Sequence, residues 1–228
     1  MPSVGMTLSL PEDESRHLFK VLRARRDDLV EIVGAGESLH LGRVVEGSAV
    51  SVVEKLDAGF REVPLTLFQS VPKGGRMDLV VEKATEVGAS RIVPLLAEHG
   101  EVSPRGGKVE RWRRVAEAAA RQSLRLRVPE VTEPMTFAGA IREAEGSGVL
   151  LHNVPGLPEI EDVAGETPHL FVGPEGGWSK GELEAAGEAG VVLAGLGPYR
   201  LRSETAGIVA AARARAALQR SVGVEGGV

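Results

Sequence analysis

Two segments in the C-terminal part of the sequence carry residue types that could bind and transform a ligand. Residues 173–177 read Gly-Pro-Glu-Gly-Gly, and Ser179 and Glu182 behind them have the spacing of a helix capping box. Glycine lets the main chain approach a ligand closely, and proline restricts the loop to few conformations. Such a loop presents backbone N–H and C=O groups in a fixed array, which suits a flat, polar-edged ligand such as an adenine ring. On these features alone, a tight structural turn explains the loop equally well.

The second segment, residues 196–206, also leads from a predicted strand into a predicted helix. Five polar side chains stand at this junction: Arg200, Arg202, Ser203, Glu204 and Thr205. Free N–H groups at a helix N-terminus beside two arginines are typical of an anion site. An Arg–Glu ion pair with a serine cap would explain the same residues structurally. Because two such loops at strand C-termini usually mark a ligand site in an α/β protein, their combination favours the binding interpretation.

Composition and motif searches exclude several function classes. The chain has 228 residues, of which 43% are apolar, and no cysteine, which excludes disulfides, thiolate metal sites and cysteine nucleophiles. Segment 176–181 matches half of a P-loop, but Glu182 and Leu183 stand where Lys and Ser or Thr are required. The five histidines lack metal-ligand spacing. The one Gly-x-Ser-x-Gly match, residues 177–181, has its serine at the capping-box position ahead of Glu182, so we interpret it as a helix cap and not as a nucleophile elbow. We therefore predict metal-independent chemistry, no metal site and no covalent serine mechanism.

Charge and hydropathy bear on location and partners. No apolar run approaches the roughly 18 residues of a membrane span, and the N-terminus lacks signal-peptide features. We expect a cytoplasmic protein with no membrane partner. The formal net charge of −5 argues against general nucleic-acid affinity but permits local basic patches.

Two local basic patches occur in the sequence. Arg16, Lys20 and Arg23 share one face of an early predicted helix. Eight basic residues lie between residues 105 and 127, and six remain when Arg114 and Arg121 are paired with glutamates of the same predicted helix. Solvated faces and ion pairs within helices explain much of this charge, and contact with phosphates is the alternative.

The order of the predicted elements indicates two parts. Residues 1–62 contain a helix predicted over 12–25 and three short β-branched runs, which indicates a small barrel or curled sheet. From residue 65 onward strands alternate with amphipathic helices, as at 76–87 and 109–123, which is typical of an α/β domain. General topology rules predict an unknotted, doubly wound sheet for such a pattern.

Motifs along nearly the whole chain resemble those of the RsmE family of RNA methyltransferases, which belong to the SPOUT class. The two C-terminal motifs are Phe171-Val-Gly-Pro-Glu-Gly-Gly-Trp-Ser-Lys-Gly-Glu-Leu183 and Leu196-Gly-Pro-Tyr-Arg-Leu-Arg-Ser-Glu-Thr-Ala206. Further similar motifs occur in the same order at 17–23, 73–88, 111–123 and 128–131.

The resemblance implies an α/β fold made of a trefoil-knotted SPOUT methyltransferase domain, residues 65–228, and a small N-terminal PUA-like β-barrel that binds RNA, residues 1–62. It also implies a homodimer and S-adenosylmethionine as methyl donor. The implied product is 3-methyluridine in 16S ribosomal RNA, with the free RNA or the 30S subunit as substrate.

The two loops and the resemblance together give a set of expected site residues. Arg202 would stabilise the uridine anion or its phosphate, and Glu204 or a water would accept the N3 proton. The expected cofactor-binding residues are Leu151, Gly173, Gly176, Gly177, Leu196, Gly197, Leu201, Ser203, Thr205 and Ala206. The expected RNA-binding residues are Arg16, His17, Lys20, Arg23, Lys73, Arg76 and Arg121.

Two places depart from the family pattern. Glu98-His99-Gly100 stands where the family usually has Glu-Arg-Ser, and Tyr199-Arg200 stands where it has an arginine followed by an aliphatic residue. An alternative function is a non-catalytic RNA-binding ribosome-assembly factor, which predicts RNA affinity without S-adenosylmethionine binding. A Rossmann-type enzyme acting on a small metabolite is disfavoured because the dinucleotide fingerprint is missing.

Overall fold

The structure is a computed structural model in which the chain divides into two compact units, Met1–Arg61 and Glu62–Val228. It describes residues 2–34, 38–46, 49–57, 63–100, 104, 106–144, 147–164 and 168–225, with side chains to residue 220. The predicted end of the N-terminal part, at residue 62, lies outside the described residues.

The first unit contains a four-stranded antiparallel sheet in the order β1-β4-β3-β2. Its strands are β1 (Thr7–Ser9), β2 (Leu29–Gly34), β3 (Ser38–Val45) and β4 (Ala49–Leu56). Val44, Val50 and Val52 are almost fully buried on one face. The pairing of β3 with β4 shifts register between Leu41 and Gly42. A Cβ at Gly42 would overlap side chains of Val50 and Ile32, so glycine lets the neighbouring side chains close over this bulge.

The helix predicted over residues 12–25 ends earlier in the structure and changes its type of turn at His17. Helix α1 covers Glu12–Arg16 and continues as a π-helical turn over His17–Val21, where Leu22 N donates to His17 O at 3.0 Å. Arg23 then adopts a left-handed conformation with φ 58°, which ends the helix. Apolar spacing does not reveal this widened turn, because Leu18, Val21 and Leu22 stand at i, i+3 and i+4, a spacing that fits an ordinary α-helix.

The second unit contains a seven-stranded parallel sheet in the order β11-β9-β10-β5-β6-β7, with β8 also paired to β6. The strands are β5 (Thr66–Ser70), β6 (Arg91–Leu96), β7 (Glu130–Val131), β8 (Met135–Thr136), β9 (Gly148–Leu151), β10 (His169–Val172) and β11 (Val192–Ala194). The helices are α2 (Met77–Glu86), α3 (Lys108–Gln122), α4 (Phe137–Glu143), α5 (Ile160–Val163), α6 (Lys180–Glu188) and α7 (Ser203–Glu225). The expected α/β fold with a parallel sheet is thereby confirmed.

Strand β5 lies near the middle of this sheet and is buried along its whole length. Leu67 joins an apolar core with helices α2, α3, α5 and α7, whereas Phe68 joins a second core with α4 and α6. The Phe68 and Phe171 rings stack at 4.6 Å between centroids. Because successive side chains of a strand face opposite ways, the two cores cover the two faces of one sheet. Because β9, β10 and β11 run parallel to one another, their carboxyl ends lie together at one edge of the sheet.

Candidate ligand-binding site

A cavity of about 570 Å³ lies at the carboxyl ends of β9, β10 and β11, in the second unit. Its volume is within the range of small-molecule sites. Apolar side chains from three strand ends and α7 contribute to its lining: Leu151, Val172, Leu196, Leu201 and Ala206. Main-chain groups of the 173–177 loop supply polar edges.

The indole of Trp178 shapes the glycine loop. A Cβ at Gly173 would lie 3.0 Å from Trp178 Cε2, so glycine allows the main chain to lie against the ring. Trp178 Nε1 donates to the carbonyl oxygen of Leu151 at 2.9 Å, which ties the loop after β10 to the end of β9. Gly177 has φ 76°, a conformation that favours glycine.

A capping box begins helix α6 directly behind the loop. Ser179 Oγ accepts from Glu182 N at 3.2 Å, and Glu182 Oε2 accepts from Ser179 N at 2.9 Å. The other carboxylate oxygen of Glu182 accepts from Glu98 N at 2.9 Å, and His99 Nδ1 lies 3.2 Å from Gly177 O. The segment that departs from the family pattern at Glu98-His99 therefore packs against the glycine loop.

Ser203 connects the second loop with the first. Helix α7 begins at Ser203 itself. The Ser203 hydroxyl donates to Gly173 O at 2.7 Å and accepts from Gln69 Nε2 at 3.0 Å. The capping role expected for Ser203 is thus replaced by a link that joins the start of α7 to the ends of two strands, β5 and β10. Gln69 is fully buried at the end of β5, and its side-chain oxygen has no hydrogen-bond partner among the residues that the structure describes.

Three side chains of the second loop face the cavity with large exposed fractions: Tyr199, Arg200 and Arg202. Arg200 Nη2 donates to the carbonyl oxygen of Glu175 at 3.3 Å. The carboxylate of Glu175 in turn accepts from Lys73 N at 3.2 Å, which brings the loop after β5 to the same place. Arg202 makes no ion pair with any residue that the structure describes.

Glu204 lies outside the cavity lining. Its side chain is buried, with Oε1 3.3 Å from Arg76 Nε and Oε2 without a hydrogen-bond partner among the described residues. Local sequence pattern could not reveal this pair, because Arg76 comes from the loop after β5 and Glu204 from the first turn of α7.

The structure brings most of the expected cofactor-binding residues into one lining: Leu151, Gly173, Gly177, Leu196, Leu201, Ser203 and Ala206, together with Arg202. It does not bring Gly176, Gly197 or Thr205 there. Pro174, Glu175, Tyr199 and Arg200 also line the cavity and lie within the two loops that the sequence predicted, whereas His152, Asn153, Val172 and Trp178 were not predicted. Their position within or beside the predicted loops was the available signal, because residues that directly follow parallel strands meet at one edge.

The expected RNA-binding residues fall on both units. In the first, Arg16 and His17 line a second cavity, of about 540 Å³, and Lys20 and Arg23 are exposed. In the second, Lys73, Arg76 and Arg121 are exposed.

Part of the basic concentration between residues 105 and 127 is structural. Arg111 pairs with Asp78, Arg113 pairs with Glu133, and buried Arg125 donates to carbonyl oxygens at the end of α2. Arg105 lies outside the described residues. Fewer of these cations are therefore available for phosphates than the sequence suggests.

Metal and membrane features are absent from the described part of the chain. Its residues include no group of three or more His, Asp or Glu side chains arranged to hold a metal ion. None of its helices combines the length and apolar character needed to cross a membrane.

Comparison with known proteins gives consistent relatives. A family model described as an RNA methyltransferase domain matches residues 61–215. The ribosomal RNA small subunit methyltransferase E of Mycobacterium tuberculosis is 34% identical to this chain, covering 92% of it and 86% of that protein. The Aquifex aeolicus protein of the same name is 31% identical, covering 89% and 91% respectively.

Solved structures agree with these relatives. A ribosomal RNA small subunit methyltransferase E from Neisseria gonorrhoeae, bound to S-adenosyl methionine, matches with a TM-score of 0.79 at 29% identity. That match covers 93% of this chain and 92% of the other. A putative methyltransferase from Legionella pneumophila, in complex with the same cofactor, matches with a TM-score of 0.76 at 27% identity, over 95% and 96% of the two chains.

Proposed function

This chain belongs to the ribosomal RNA small subunit methyltransferase E family, and we propose that it methylates N3 of a uridine in 16S ribosomal RNA with S-adenosylmethionine as donor. The observation that carries the proposal is the cavity at the ends of β9, β10 and β11, which stands in a chain similar throughout to cofactor-bound relatives.

The residues of the cavity fit S-adenosylmethionine. Its apolar side chains suit the faces of an adenine ring, and the main chain of Gly173 and Leu196 lies at the lining, where it suits polar edges. Glu175 supplies a carboxylate beside the cavity that suits a cationic ligand. When bound, the cofactor supplies an electrophilic methyl group carried on a sulfonium.

The work of this chain is to position the uridine and to stabilise the charge that its N3 carries after loss of a proton. Holding two substrates in line supplies much of a methyl-transfer rate. Arg202, exposed in the lining, would stabilise the N3 anion or an adjacent phosphate. Glu204 pairs with Arg76 outside the lining, which favours a water over Glu204 as the proton acceptor.

Finer features of the proposal rest on family membership. We propose that the C-terminal α/β unit is a trefoil-knotted SPOUT domain and that the protein is a cytoplasmic homodimer. The antiparallel sheet of the first unit supports its assignment as a PUA-like module, in which Arg16, His17, Lys20 and Arg23 contact RNA phosphates. Lys73, Arg76 and Arg121 would do so in the second unit.

The decisive experiment is methyl transfer to small ribosomal subunits that lack the modification, with free 16S RNA as a parallel substrate. We expect labelled 3-methyluridine when the RNA is digested and its nucleosides are separated. Calorimetry with S-adenosylmethionine accompanies the assay. Absence of both cofactor binding and product would overturn the proposal and leave a non-catalytic RNA-binding assembly factor.

A further inference from the structure

Tyr199 is an aromatic side chain with little protein around it. It is the only tyrosine in the sequence, its residue surface is 80% exposed, and it lines the cavity. No aromatic contact among the described residues involves its ring. An exposed ring at the mouth of a ligand site is available to pack against an incoming molecule.

The loop that carries Tyr199 is held at both ends. Leu196 packs against the apolar core on one side, and the Ser203 hydroxyl bonds to Gly173 O on the other. Within the loop, Arg200 bonds to Glu175 O. These three contacts hold the loop that carries Tyr199. Binding of a ligand against the Tyr199 ring therefore requires little additional ordering of the loop.

Two cations accompany the ring. Arg200 and Arg202 are both exposed and line the cavity beside it. A flat ring beside guanidinium groups is the combination by which proteins bind single-stranded nucleic acid, because bases stack on the ring and cations contact phosphates. A base must also leave its own stack before it can enter a cavity, and stacking on protein offsets part of that cost.

We propose that Tyr199 is a substrate-binding residue that stacks on an unpaired base of the RNA at the mouth of the cavity, with Arg200 and Arg202 contacting the adjoining phosphates. This inference rests on the proposed function, since it assigns an RNA contact to the same site. The ring replaces an arginine of the family pattern, and both side chains present a flat face for stacking.

A direct contact is tested first. A single-stranded RNA of about 15 nucleotides that contains 4-thiouridine is irradiated with the full-length protein without cofactor, and the crosslinked peptide is identified by mass spectrometry. We expect the crosslink on Tyr199. Crosslinks confined to residues remote from the 196–206 segment would overturn the proposal.

Variants then separate stacking from other roles. Tyr199→Ala should weaken binding of this RNA, measured by fluorescence anisotropy, by about tenfold, whereas Tyr199→Phe keeps the ring and should stay within about threefold of the parent protein. Val192→Ala, which removes an exposed apolar side chain of β11 outside the cavity, should leave RNA binding unchanged. Equal RNA affinity of Tyr199→Ala and the parent would overturn the proposal.

Two further measurements test whether the Tyr199 ring contacts the cofactor or a second copy of the chain instead of RNA. Loss of S-adenosylmethionine affinity in Tyr199→Ala with RNA affinity kept would mean that the ring covers the cofactor. A change of oligomeric state in light scattering would mean that it contacts a second copy. Either result overturns the proposal. The RNA measurements need no turnover. A parent protein that binds RNA through Tyr199 but forms no 3-methyluridine would therefore contradict the proposed function and leave the RNA contact of Tyr199 supported.

Discussion

The hydroxyl of Ser203 donates to the carbonyl oxygen of Gly173 at 2.7 Å and so fixes the start of α7 to the end of β10. Gln69 Nε2 donates to the same hydroxyl at 3.0 Å. One serine therefore holds the main chain of the glycine loop at a set distance from β5. The width of the cavity depends on this bond because Gly173 and Ser203 both line it.

Ser203→Ala should reduce the affinity for S-adenosylmethionine by about tenfold and the free energy of unfolding by about 1–2 kcal/mol, since it leaves buried polar groups without a partner. Calorimetry and denaturant unfolding measure the two quantities. Ser123→Ala is the matched control, because it removes a 2.7 Å hydroxyl-to-carbonyl bond at the end of α3, away from the cavity. If both variants bind the cofactor like the parent, Ser203 does not set the cavity.

Arg202→Ala should lower kcat for methyl transfer by about a hundredfold and leave cofactor affinity within about twofold, because the guanidinium would act on charge at the uridine. Steady-state kinetics on small subunits lacking the modification measures kcat and KM. Arg142→Ala, an exposed arginine of α4 outside the cavity, serves as the control. Full turnover by Arg202→Ala would remove Arg202 from the mechanism.

Glu182→Ala should lower the free energy of unfolding by about 2 kcal/mol or more, because two backbone N–H groups, of Ser179 and Glu98, lose their acceptor. Glu184→Ala on the same helix removes only an exposed pair with Lys180 and should cost less than about 0.5 kcal/mol. Urea unfolding compares them. Equal losses in the two variants would contradict the capping interpretation.

His169 should make stability depend on pH. Burial lowers the pKa of its imidazole below the ordinary value of 6.5; Glu143 partly opposes this shift and Arg91 adds to it. The unfolded chain therefore takes up this proton at a higher pH than the folded chain. Stability from this group is complete above the unfolded pKa and falls as the pH drops below it.

His169→Gln tests this dependence, because glutamine can still bond to Ser147, whose hydroxyl lies 2.6 Å from His169 Nδ1. We expect the variant to lose less stability than the parent between about pH 7 and pH 5 in urea unfolding. Parallel curves for the two proteins over that interval would show that another group is responsible.

Local patterns were sufficient for the α/β architecture and for the two loops. The apolar stripe of Met77, Val80, Val81 and Ala84 predicted the buried face of α2, and the glycine-bearing segments indicated the edge where the cavity lies. These features depend on residues close in sequence. Periodicity and turn chemistry report such features directly.

Contacts between distant segments could not be predicted in this way. The pairing of Glu204 with Arg76 and the bond from Gln69 to Ser203 both depend on β5 lying beside β10, an order that no local pattern encodes. His99 against Gly177 is a third example. The π-helical turn after α1 was missed for a different reason, since the few apolar residues there have a spacing that also fits an α-helix.

The bond from Ser203 to Gly173 has a consequence for the order in which the site is assembled. Chains are synthesised from the N-terminus, and α7 follows every other element that the structure describes. A nascent chain that has already formed β5 and β10 still lacks the serine that joins them, so the cavity wall stays open until α7 has emerged. A ligand held by this wall would oppose detachment of α7 and thereby protect the C-terminal helix against local unfolding.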